Sequence, residues 1–171
     1  TIRGVEARLH SNVTNAEATN NGDLTAFNSN GYTLDNATGS TNTDVNQAGT
    51  NYVGWAWEGG TSFSNSAGTN GASHASSGRA NKLAGFSIVK YVGTNQNMSI
   101  RHGLDAAPEL IIVKSRDSTQ PWVIGSTADN NWQNYLHFDS TGGGSLNAVW
   151  QGTAPTSQVF TVGQTGGVGQ T

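Results

Sequence analysis

Every apolar cluster in this chain is short, and Gly, Asn or Asp closes almost every one within a few residues. A helix that packs must repeat its apolar positions every three to four residues over several turns, and no segment sustains that period. Only Asn15 to Leu24 can hold a helical turn, and there the pattern is weak. The chain is therefore expected to fold as strands joined by turns.

The strands follow from alternation. In Asn51-Tyr52-Val53-Gly54-Trp55-Ala56-Trp57-Glu58, Val53, Trp55 and Trp57 share one face, which is expected to lie in the core. Gly85 to Gly93 places Phe86, Ile88 and Val92 together and stops at a glycine. Met98 to His102 alternates again. Leu110-Ile111-Ile112-Val113 is apolar on both faces and reads as a central strand buried on two sides, with Pro108 ahead of it and Gly103 permitting a bend. Trp122-Val123-Ile124, Tyr135 to Phe138, Val159 to Val162 and the shorter Gly31 to Leu34 complete the set. Strands recurring roughly every ten residues with turn signals between them describe an all-β, antiparallel β-sandwich of jelly-roll or concanavalin-like type. Asp35 to Thr50 and Thr61 to Ala80 are almost wholly Gly, Ser, Thr, Asn and Ala and are expected to be long surface loops. The 171 residues suit a single sandwich unit, with a sub-boundary near residues 60–82 as the alternative.

Composition narrows the function. Charged residues make up 11% of the chain against roughly 25% in soluble domains, so neutral hydrogen-bonding groups must coat the surface. A net charge of -3, with 5 Trp, 4 Tyr and 5 Phe, favours a folded chain over a disordered one. No Lys/Arg run offers phosphates a footprint, so nucleic acid is not an expected partner. No apolar stretch approaches the roughly 20 residues that span a bilayer, so neither is a membrane. Without cysteine there are no disulfides or Cys-type zinc sites. Thr1 opens the chain without Met and without a leader pattern, which reads as a fragment or a processed product.

Two further patterns bear on organisation. Leu9-His10 followed by Tyr32-Thr33-Leu34, and Leu136-His137 followed by Phe160-Thr161-Val162, look like two copies of one unit with a one-residue slip. Chance similarity between Thr-rich segments is the alternative. Three sequons, at Asn12, Asn36 and Asn97, carry little weight in a chain so rich in Asn, Ser and Thr.

The strings Asn51 to Trp57, Gly85 to Tyr91, His102 to Lys114 and Ala154 to Val162 resemble, in the same order, a family of large repetitive virion proteins from tailed phages of aquatic bacteria. Its members are labelled tail-fibre, receptor-binding or structural proteins, and their repeats look like concanavalin-type lectin sandwiches. The similarity covers roughly residues 24 to 171 and brings no catalytic or ligand residues. It implies a structural module on a virion surface, assembled with other copies as a homo-oligomer and able to touch cell-surface polysaccharide.

Candidate chemistry is sparse. The eleven acids are scattered, mostly beside Gly or Asn, where Asp caps turns; a glycosidase would need two of them across a groove. His10, His74, His102 and His137 show no metal-ligand spacing, and no GxSxG elbow is present. The chain is not expected to be an enzyme or to need a cofactor. Asp129-Asn130-Asn131 and Asp35-Asn36 supply oxygen atoms that suit a structural calcium ion, without the spacing of an EF-hand loop. Among the tryptophans, Trp132 and Trp150 have polar neighbours and are the candidates for exposed glycan contact, with Asn131 and Asp129 beside the first. The other functions left open are a carbohydrate-binding module, a bacterial surface adhesin or filament protein and, behind these, a polysaccharide depolymerase.

Overall fold

The computed structural model of the chain describes residues 4–19, 24–34, 45–145, 147–165 and 167–169. Strand pairing throughout is antiparallel. Strands β1 (Leu24–Asn28) and β2 (Gly31–Leu34) form a hairpin; β3 (Thr61–Asn65), β4 (Ser76–Asn81) and β5 (Phe86–Tyr91) form a meander. Strand β6 (Met98–Arg101) pairs across the length of the chain with β11 (Val159–Val162). A second meander runs in order through β7 (Leu110–Val113), β8 (Val123–Ser126), β9 (Asn134–His137) and β10 (Gly143–Ser145). A 3-10 turn at Asn130–Trp132 and a single helical turn, α1 (Asn147–Trp150), interrupt the strands.

The result is the expected antiparallel all-β sandwich. Its core joins Met98 and Ile100 of β6, Phe160 and Val162 of β11, Val123 of β8, and Trp132, Val149, Trp150 and Val168. Val89 and Tyr91 of β5 close it from one side, Ile111, Val113 and Tyr135 from the other. Tyr91 bridges the layers, with its ring edge-on to Phe160 and its hydroxyl donating to the Val168 carbonyl at 2.6 Å. Burial pushes its phenol pKa well above the ordinary value.

Several expectations are corrected. Residues 61–80 hold two strands, β3 and β4, where a loop was expected. The inward positions of β4 are Ser76, Gly78 and Ala80, so the strand alternates in size and exposure without an apolar run. Gly78 makes the close packing possible, since a Cβ there would fall 2.1 Å from the Ile88 carbonyl oxygen of β5 and 3.1 Å from the Phe63 ring. The intervening turn is organised by Asn65, whose Oδ1 accepts from Thr69 Oγ1 and Asn70 Nδ2. Strand β5 also faces the other way round. Val89 and Tyr91 point inward, while Ile88 and Val92 are exposed.

Among the described residues, Leu110 to Val113 is an edge strand rather than a central one, bonded in its sheet to β8 alone. Ile111 and Val113 face the core, whereas Leu110 and Ile112 are 58% and 45% exposed. Gly103 does bend the chain as expected, at φ +78. The proposed duplication finds no structural counterpart. Leu136-His137 lies in β9, while Leu9-His10 belongs to no strand; Tyr32 to Leu34 pairs with a neighbouring hairpin strand, and Phe160 to Val162 pairs with distant β6. Residues 15–19 form no helical turn, and 20–23 lie outside the described residues, as do 35–44.

Candidate functional site

The four residues singled out for ligand contact do not form a surface. Trp132 is 0% and Trp150 1% exposed, and the two indoles meet edge to face with centroids 5.7 Å apart. This corrects the expectation that polar neighbours keep them in water. Those neighbours are turn formers, with Asn131, Gln151 and Gly152 all at positive φ, and such turns fold the adjacent indole inward. Trp132 itself sits at φ 70, a conformation costing a bulky residue about 1–2 kcal/mol, which burial of its ring offsets. Asn131 is exposed, but its left-handed backbone serves the turn. Asp129 is half-buried; its Oδ1 accepts from Asn134 Nδ2 at 3.1 Å, a turn-closing bond.

The tryptophans expected in the core stand outside instead. Residues 51–58 are exposed throughout and belong to no strand, with Val53 81%, Trp55 76% and Trp57 62% exposed. Alternation there is real, but no sheet takes it up. Trp55 and Trp57 meet edge to face at 6.4 Å, and Trp57 stacks on Phe86 of β5 at 5.6 Å and 12°. Contacts within the loop, to β2 and to β4 hold the strap. Tyr52 Oη accepts from the Gln47 amide, Gly54 lies against the Tyr32 hydroxyl, and the Arg79 guanidinium donates to the Gly60 carbonyl. An aromatic surface with small residues between its rings is thus held on the body of the sandwich.

A second apolar surface lies on the outward face of the four-stranded sheet. Ile112, Ile124 and Leu136 are direct cross-strand partners in one row, which continues to Gly143. Leu110 flanks the row, and Phe138 beside Trp122 flanks it on the other side, the two rings 6.5 Å apart. Leu110, Ile112, Leu136 and Phe138 are each about half exposed, between 45% and 58%. The largest contiguous apolar patch on a protein surface is often a contact site.

Residues 1–171 match the family described as Domain of unknown function (DUF7483). The chain belongs to that family. No curated protein and no solved structure matches it.

The titratable groups of this DUF7483 chain serve structure where the geometry reveals their partners. His102 is 2% exposed; its Nδ1 accepts the Leu104 amide at 3.2 Å, which leaves Nε2–H to donate to the Thr156 carbonyl at 3.1 Å. Burial lowers its pKa and Arg101 adds to the effect, against the opposing Thr156 bond. His74 and His137 bond neighbouring serines, and the His10 carbonyl accepts the Trp122 indole N–H at 2.6 Å. Glu17 binds Arg116 through both carboxylate oxygens, at 2.6 and 3.0 Å, and those hydrogen bonds raise the guanidinium pKa. Desolvation lowers the Lys114 pKa, countered by Asp139, and its Nζ turns back to the Ser115 and Ser118 carbonyls. Among the described residues, no three His, Asp or Glu side chains gather as a metal site; the Asp35-Asn36 loop lies outside them. Among the described residues, no helix is long and apolar enough to cross a membrane.

Proposed function

We propose that the chain is a non-catalytic structural module of a phage virion, on a tail fibre or the particle surface, whose work is assembly and display. The observation that carries this reading is the apolar surface on the outward face of the four-stranded sheet, where a solitary sandwich would carry polar side chains. The resemblance of four strings, Asn51 to Trp57, Gly85 to Tyr91, His102 to Lys114 and Ala154 to Val162, to repetitive virion proteins suggests the particle context. A neutral coat of Asn, Ser and Thr suits a rigid body that is handled by contact. Mass spectrometry of purified phage particles tests it: the polypeptide is expected in many copies per particle, and its absence from particles overturns the reading.

Carbohydrate binding is a second reading, favoured by the strap. Trp55 offers an open ring and Trp57 the face turned away from Phe86, beside Asn51 and Glu58, an arrangement suited to the apolar faces and hydroxyl rims of sugars. Affinity electrophoresis through dextran, mannan and galactan gels should retard the chain, and Trp55→Ala should abolish the retardation. Unretarded migration in all three dismisses this second reading.

A further inference from the structure

We propose that the outward face of the four-stranded sheet packs against the same face of a second copy of this chain; resting on the assembly reading, this names the surface and the partner. Leu110 to Val113 is apolar on both faces, as a strand covered on two sides must be. The sandwich covers only one of them. Ile111 and Val113 reach the core, and Leu110 and Ile112 are left facing water.

The uncovered face has the shape and size of an interface. Ile112, Ile124 and Leu136 stand side by side at the roughly 5 Å strand spacing, with glycine at the end of the row, so the surface offers a continuous ridge to an opposing sheet. A half-exposed large apolar side chain presents on the order of 100 Å², so Leu110, Ile112, Leu136 and Phe138 together present roughly 400 Å². Ile124 and Trp122 add to that. A standard interface buries about 800 Å² per partner, and a homodimer interface is about 65% apolar, so about 500 Å² of apolar surface is needed on each side. Those four side chains supply most of that requirement before Ile124 and Trp122 are added.

Charge points to a copy of the same chain. Among outward positions 110, 112, 114, 122, 124, 126, 134, 136 and 138, only Lys114 is charged, and its ammonium is turned back onto the Ser115 and Ser118 carbonyls. Two copies related by a two-fold axis therefore bring no like-charge opposition to the centre of the contact, while a charged partner finds nothing there to pair with.

Sedimentation equilibrium of the chain, from micromolar to submillimolar concentration, tests the assignment with Ile112→Asp, Leu136→Asp and Trp55→Asp alongside. The wild type and Trp55→Asp should dimerise, and each sheet-face variant should associate at least about 30-fold more weakly, the loss typical of a central contact residue. Circular dichroism checks that the variants fold, and Leu110→Asp, at the most exposed of these positions, replaces any that does not. A wild type monomeric throughout the range overturns the assignment. So does an oligomer that every sheet-face variant retains or that Trp55→Asp alone dissolves; either outcome puts the contact elsewhere and leaves the virion reading to the particle experiment.

Discussion

Trp132 and Trp150 pack edge to face, at 81°, directly over the backbone of Gly125. A Cβ at residue 125 would lie 2.5 Å from Trp150 Cε2 and 2.8 Å from Trp132 Cζ3. Neither indole can retreat, because both are enclosed by the core. Gly125→Ala is therefore expected to lose about 2–3 kcal/mol through overpacking, measured by urea denaturation with an unchanged m-value. A neutral outcome would mean that the pair is not packed as described.

The two kinds of tryptophan should respond unequally to truncation. Trp150→Ala removes a buried ring and leaves a cavity, at a cost of about 3–5 kcal/mol. Trp55→Ala removes a ring that is 76% exposed and should stay within about 0.5 kcal/mol of wild type. Thermal melts of the two variants check the contrast, and equal losses would contradict the burial assigned to them.

Stability should fall on mild acidification because of His102. Its folded pKa lies below the ordinary 6.5, so the unfolded chain takes up a proton first. The neutral ring's contribution is complete above about 6.5 and declines as pH drops below that value, levelling once the folded-state ring also protonates. Protonation also removes the acceptor that holds the Leu104 amide. Denaturation midpoints between neutral pH and the mildly acidic range should fall in the wild type, and the part of that slope due to His102 should vanish in His102→Gln.

The Glu17 to Arg116 pair fastens residues near the start of the chain to the loop after β7, together with the Glu17 amide to Arg116 carbonyl bond. Glu17→Gln keeps the backbone bond and loses the ion pair, a loss of about 1 kcal/mol for a doubly bonded pair with one exposed partner. Hydrogen exchange should quicken at the paired Arg8 and Ala18 amides while the core amides of β6 stay unchanged. Uniform loss of protection would show that this segment opens only with the whole domain.

Much of the fold was legible because turn chemistry is local. Gly and Asn end the runs, alternation marks β6, β8, β9 and β11, and Gly103 bends the chain where a bend was expected. What escaped is instructive. Strand β4 buries Ser76, Gly78 and Ala80, which carry no hydrophobic signal, because Phe63 from the adjacent strand fills the space. For the site, the polar residues around Trp132 and Trp150 suggest solvent contact by their chemistry, but they are the hinges that turn each ring inward. The exposed strap reads as a core strand, since alternation reveals a two-faced ribbon but not whether a sheet will receive it.

By itself, the sequence determined that this chain makes short antiparallel strands, with a neutral coat and no helical layer, because backbone preference and period are properties of neighbouring residues. The tertiary structure alone decided which apolar face is covered. Trp150 is buried and Trp55 is bare because packing depends on what distant segments, such as β6 and β11, bring opposite each side chain, and no local pattern records that.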